Sequence, residues 1–354
     1  MHMDEQRTRR TIPIAAGLAA LLLATTPIFF DIYRTAAFNT IPRDDYAPYL
    51  LALTGQGGQI PGAPFAYRIL SVVAAAPFYY ALPAYTFSNL RGVDASYLKA
   101  TQALSFASYL WLVLTALVIY AIARRQYSAS RAACAIVALL TFLLSGFIAR
   151  TGVDPFAILV IGLLLLWQKR AALFIPLMLV SVGINEKIPI VFAGVMLFRL
   201  IAAGRGRRRF DSYPQLLSSC VAIACYFVVV QVVKAPGHAN QLNPGAYWAQ
   251  FQSTIGYTLS LKGLVLNVIP VLVLLFVIAL SARCGRPGVF RTSDVSGLVI
   301  LVALASIADV DYNVGRIAMY SYPLYIPALA GFVDDALDSA QGTVTSSAAD
   351  PADT

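Results

Sequence analysis

Three short clusters hold most of the residues that could do chemistry. Asp44 and Asp45 stand side by side just before Tyr46. Adjacent carboxylates repel, so one tends to hold its proton to higher pH while the other stays ionised, a setting suited to a general base. The same pair also suits a helix cap, accepting from free amides and complementing the dipole, and one Asp can do each. Asn185, Glu186 and Lys187 put an acid and an amine between two apolar runs, where ionisable groups are costly and face a cavity or a partner. Neighbouring helical positions do not face each other, so Glu186 and Lys187 each need another partner. Asp309, Asp311, Tyr312, Asn313, Gly315 and Arg316 form the third cluster. Gly315 permits close backbone approach and Arg316 offers a planar fork suited to phosphate oxygens; an ion pair with Asp309 or Asp311 would explain the arginine equally. Asp154, in Thr151-Gly152-Val153-Asp154-Pro155, reads as a helix cap. Trp248 lies in a stretch, 234–261, whose amides and aromatic faces suit sugar rings, although Trp and Tyr also anchor chains at a membrane interface.

The elements that must position these residues are apolar. Of 354 residues, 59% are hydrophobic and 12% charged, and the mean hydropathy is +0.71. An average soluble domain carries roughly 25% charged residues, so an ordinary soluble enzyme is excluded. The apolar runs do not alternate as barrel strands do, which leaves an all-α, polytopic transmembrane bundle. Candidate spans fall at 11–30, 100–123, 130–149, 155–168, 171–184, 187–203, 214–233, 262–281, 295–308 and 317–333. The stretch 68–88, interrupted by Pro77 and Pro83, is read as a broken helix that does not cross, because only then do the basic clusters fall on one side. Those clusters are the N-terminal arginines, Arg124 with Arg125 and Arg131, Lys169 with Arg170, Arg199, the run from Arg205 to Arg209, and Arg283 with Arg286 and Arg291. The positive-inside rule makes that side, with both termini, cytoplasmic. The net charge of +9 is therefore a topological signal, and no nucleic-acid partner is expected. Two histidines and four cysteines without a CxxC pair speak against a zinc site or a disulfide framework. Residues 1–334 read as a single transmembrane domain with a long outer loop at 31–99, and 335–354 as a disordered polar tail.

The arrangement resembles the GT-C superfamily, polytopic glycosyltransferases that use polyprenyl-phosphate-linked sugars. In that family a first helix leads outward into a long acidic loop with two membrane-parallel helices. The segment Arg43-Asp44-Asp45-Tyr46, the helical stretch 45–54 and the non-crossing stretch 68–88 match that layout. Asp154 corresponds to the acid of the next outer turn, while Asn185-Glu186-Lys187 and Gly315-Arg316 resemble outer turns that bind the lipid phosphate. The resemblance implies sugar transfer on the outer face of an inner membrane from a lipid-linked donor to a glycan or lipid acceptor. Asp44 or Asp45 would be the catalytic base, and Arg316, Lys187 and Arg68 would hold the donor phosphate. Tyr46, Asn185, Tyr312 and Trp248 would contact sugar or acceptor. Asp154 and Glu186 are the carboxylates that could support Mg²⁺ or Mn²⁺. The chain departs from the protein-glycosylating members in lacking a WWDYG motif and a large soluble C-terminal domain. A transporter or flippase for a polar or lipid-linked substrate is the alternative, and it would place charges near the midplane of several helices. A non-catalytic membrane scaffold is the third reading; it would tolerate neutralising every outer acid.

Overall fold

A computed structural model of the chain describes residues 46–82, 94–145, 154–202, 213–236, 244–283, 295–308 and 313–347. The first span expected at 11–30, together with Asp44, Asp45 and Tyr312, lies outside these residues. Every regular element among the described residues is helical. The chain order is α1 (Tyr46–Leu53), a 3₁₀ turn (Phe65–Tyr67), α2 (Ile69–Val73), α3 (Ala76–Ala81), α4 (Ala95–Gln126), α5 (Arg131–Ser145), α6 (Asp154–Leu166) and α7 (Ala171–Val180). It continues with α8 (Lys187–Ala202), α9 (Tyr213–Val233), α10 (Pro244–Thr258), α11 (Leu261–Arg283), α12 (Ser296–Ala308), α13 (Val314–Ala318), α14 (Tyr322–Tyr325) and α15 (Leu329–Ser347).

Three of these, α4, α9 and α11, are long and apolar enough to cross a membrane, and shorter apolar helices accompany them. The described residues are thus all-helical, with three candidate membrane spans. α9 and α11 leave large apolar side chains on their outer faces, among them Leu217, Phe227, Val228, Val232, Leu272 and Phe276, as helices bordered by lipid do. α4, at 32 residues, starts at an Asp94 cap whose side chain accepts from the Ser96 amide. Its buried face begins with Ala100, Ala103, Ser105, Ala107 and Ser108, small residues that let neighbouring backbones come close. Leu104 and Trp111 on the same helix pack with Tyr46, Tyr49, Leu50, Val72 and Tyr79 of α1 to α3. The other half of α4 contributes Ile119 and Ile122 to the main core with Ile158, Ile161, Phe174 and Phe192.

Four sequence expectations need correction. Of the stretch 68–88, the described part forms two short helices, but the break falls at Ala74–Ala75, and Pro77 sits in the first turn of α3, where its missing N–H costs nothing; Pro83 lies outside the described residues. The run 317–333 is not one helix. Pro323 and Pro327 each remove a backbone donor and clash with the carbonyl four residues back, so α13, α14 and α15 are separated by 3₁₀ turns at Met319–Ser321 and Ile326–Ala328. The segment 234–261, read as a loop, contains α10, whose first residue is Pro244, a residue preorganised for a helix start. The polar segment from 335 continues α15 to Ser347. Extending a formed helix is far easier than starting one, and Asp334 anchors it by accepting from the Ser130 amide at 2.9 Å.

At one end of the bundle the C-terminal parts of α4 and α8 meet the turn after α6. Gln168 accepts from Arg199 at 3.1 Å and donates to Gln126 at 3.4 Å. The N-termini of α6, α8 and α13 gather at another polar centre, described next.

Candidate functional site

Arg68 caps the start of α2 and is 4% exposed. A buried guanidinium survives only if its donors are met, and here they are. Nε donates to Glu186 Oε2 at 2.9 Å and Nη2 to Oε1 at 2.5 Å, the two-pronged geometry that fits a carboxylate. Nη1 donates to Tyr46 Oη at 3.0 Å, and the guanidinium lies 5.2 Å from the centre of the Phe65 ring. Tyr46 meets Phe65 edge to face. A second bond, Ser71 Oγ to the Ile184 carbonyl at 3.0 Å, ties α2 to the same turn.

That turn, Asn185-Glu186-Lys187, follows α7 and a 3₁₀ turn at Ser181–Gly183 and leads into α8. Asn185 Oδ1 accepts from the Lys187 amide at 3.1 Å, a local bond that starts α8. Glu186 Oε1 also receives Lys187 Nζ at 3.2 Å. Burial alone would raise the Glu186 carboxyl, but the charges of Arg68 and Lys187 overcome it and hold the group well below the usual carboxylate range. On its other side, Asn185 Nδ2 donates to Tyr320 Oη at 3.5 Å. Tyr320 Oη in turn donates to Asp154 Oδ1. Asp154 Oδ2 stands 3.6 Å from Arg316 Nε.

A continuous polar path therefore runs from Tyr46 through Arg68, Glu186, the Asn185 turn, Tyr320 and Asp154 to Arg316. It joins α1, α2, α6, α8 and α13 and the 3₁₀ turn that follows α13. Its cations differ in access: the side chains of Arg68 and Lys187 are 5% and 7% exposed, that of Arg316 31%. Of these three side chains that of Arg316 is the most exposed, although its Nε is itself buried. Arg68, expected to hold phosphate, fastens the start of α2 to the turn before α8.

At Val314, two residues before Arg316 on α13, the fold leaves a cleft of about 300 Å³. Ile255, Leu259, Val268, Val271, Val302 and Val314 give it apolar walls. Its floor is a π-helical turn at Leu264–Val268, where Asn267 donates to Thr258 Oγ1 at 2.9 Å and accepts from the Gly315 amide at 3.5 Å. A Cβ on Gly315 would stand 2.1 Å from the Leu266 carbonyl oxygen, so only glycine allows α13 to come this close. Such π turns within helices recur at functional sites.

Seven of the residues singled out from sequence are brought together: Tyr46, Arg68, Asp154, Asn185, Glu186, Lys187 and Arg316. Trp248 is not among them; it is largely exposed on α10 and packs on Phe251. Tyr320 and Asn267 were missed. For Tyr320 the signal existed, since it lies four residues after Arg316, on the same side of a helical turn. Asp154 and Glu186, the carboxylates that could support Mg²⁺ or Mn²⁺, are already engaged by cationic side chains. Glu186 is neutralised by Arg68 and Lys187 and Asp154 is paired with Arg316, so a cation would have to displace side chains already seated. Among the described residues no three His, Cys, Asp or Glu side chains form a metal-holding group. Searches of protein-family models, of curated proteins and of solved structures find nothing that matches this chain.

Proposed function

We propose that the protein is a membrane glycosyltransferase of the GT-C kind that takes a sugar from a polyprenyl-phosphate donor. What supports the reading above all is the buried charged path ending at Arg316, whose side chain is partly exposed, on a short helix that also presents Val314 to an apolar cleft. Ionisable groups buried in a membrane bundle are costly and mark a working site by default. An amphiphile with an anionic head and a hydrocarbon chain matches this pairing of charge and cleft. The bundle of about ten spans, with the short helices completing it among their neighbours, belongs to this proposal. So do an inner-membrane location, a site on the outer face and cytoplasmic termini.

In the reaction, an acceptor hydroxyl oxygen attacks the anomeric carbon as the bond from that carbon to the phosphate oxygen breaks. The phosphate leaves with the electron pair, and its growing charge is what Arg316 stabilises, with Lys187 as a second cation of the same polar path. The hydroxyl proton passes to Asp44 or Asp45, which directly precede Tyr46 in the chain. Glu186 and Asp154 are engaged by cations and serve as positioning groups. A glycan or lipid supplies the acceptor hydroxyl, and membrane lipids surround the whole.

The test is sugar transfer in membranes carrying the full chain, with a radiolabelled polyprenyl-phosphate sugar as donor. Changing both Asp44 and Asp45 to Asn should reduce transfer by at least a hundredfold, the scale of general-base catalysis. Transfer at the wild-type rate by that variant would sink the reading.

A further inference from the structure

Tyr320 is 1% exposed, and its hydroxyl is used on both sides, accepting from Asn185 and donating to Asp154. It is the link between the two cation–carboxylate centres. On one side stands the turn that carries Glu186 and Lys187 and holds Arg68. On the other stands Asp154, whose second oxygen faces Arg316. The 3₁₀ turn at Met319–Ser321 fixes the ring there, because Pro323 prevents the helix from continuing regularly. Asp154 begins α6 and Arg316 lies in α13, so the Tyr320 hydroxyl ties the start of α6 to the turn that directly follows α13, beside the direct Asp154–Arg316 contact.

We infer that Tyr320 is a positioning residue for anion recognition: its hydroxyl orients Asp154, and through Asp154 it sets the guanidinium of Arg316 for an alkyl or prenyl phosphate monoester. This rests on the reading that Arg316 receives a phosphorylated lipid. Tyr320 touches no substrate itself. Its removal leaves the apolar cleft unchanged, so recognition of the hydrocarbon part is independent of it.

The experiment uses the full chain in detergent and reads apparent affinity from the thermal midpoint against concentration of farnesyl monophosphate, with farnesol as the uncharged probe. Wild type should bind the phosphate more tightly than the alcohol; equal binding overturns the lipid-phosphate reading whatever Tyr320 does. Given that discrimination, Tyr320→Phe should weaken farnesyl monophosphate about tenfold, the size of one bond to a charged group, and leave farnesol unchanged. Asp154→Asn should weaken the phosphate too, and adding Tyr320→Phe to it should change nothing further, because the link is already cut. Unaltered phosphate affinity in Tyr320→Phe, or additive losses in the double variant, overturns the inference. If Tyr320→Phe does not accumulate as folded protein, Asn185→Ala removes the bond on the other side of the same hydroxyl. It must then show the same selective loss for the phosphate, and loss of farnesol binding in equal measure overturns the inference.

Discussion

Arg68 and Glu186 are 118 residues apart in the chain and form a bidentate, largely buried pair. Losing one partner strands the other charge, which costs about 3–5 kcal/mol in buried pairs. Arg68→Met should therefore lower the thermal midpoint sharply, and Arg68→Met with Glu186→Leu should recover part of the loss; a double variant as unstable as the single one would contradict the pairing. The acid side of the stability profile follows from the same contact. Glu186 has its folded pKa depressed, so its contribution is complete above the ordinary carboxylate value near 4.3 and fades as pH falls toward the folded value. The midpoint difference between wild type and Glu186→Gln should stay constant from pH 9 to 5 and close only below about 4. From sequence, the expense of charges between apolar runs was enough to mark Asn185, Glu186, Lys187 and Arg316. Which cation meets which acid was not legible, because the pairing depends on how separate helices are stacked. Tyr320 escaped notice because a tyrosine in an apolar run looks the same whether it fills space or carries a hydrogen bond.

Among the elements, the contact of α13 with the π-helical turn is the tightest constraint on Arg316. Gly315→Ala would put a methyl group against the Leu266 carbonyl and 2.8 Å from Pro270 Cγ. Neither backbone nor ring can yield cheaply, so the variant should lose about 1–3 kcal/mol of stability and shift Arg316 away from Asp154. Thermal unfolding together with farnesyl monophosphate binding checks both effects; a fully stable variant with normal binding would contradict the close approach. Apolar runs located most helices to within a few residues because hydrophobic length is written directly in composition. Proline positions explain the broken run at 317–333 once the i−4 clash is applied to Pro323 and Pro327. α10 was misread because its amides and aromatics look like loop composition, whereas its backbone starts from a proline suited to a first turn.

For the molecule as a whole, the polar path and the Gln168 contacts define two ends, and the membrane orientation can be tested with single cysteines. In a background lacking the four native cysteines, Gln56→Cys should react with an impermeant maleimide from outside, and Arg125→Cys only after the membrane is opened; both sites are exposed. The reverse pattern would invert the proposed topology. Gly58 is unsuited to this use, because a side chain there would run into the Pro48 carbonyl. α4 adds something that no single site reveals. At 1.5 Å per residue its 32 residues extend about 48 Å, well beyond a hydrocarbon core of roughly 30 Å. One half grips the segment that carries Tyr46 and Arg68, and the other half is set in the main core. It is a single beam with both ends clamped, so a bulky residue at Ala103 or Ala107 would tilt the guanidinium of Arg68 off its carboxylate from a distance. Damage to this protein need not touch its charged centre to disable it.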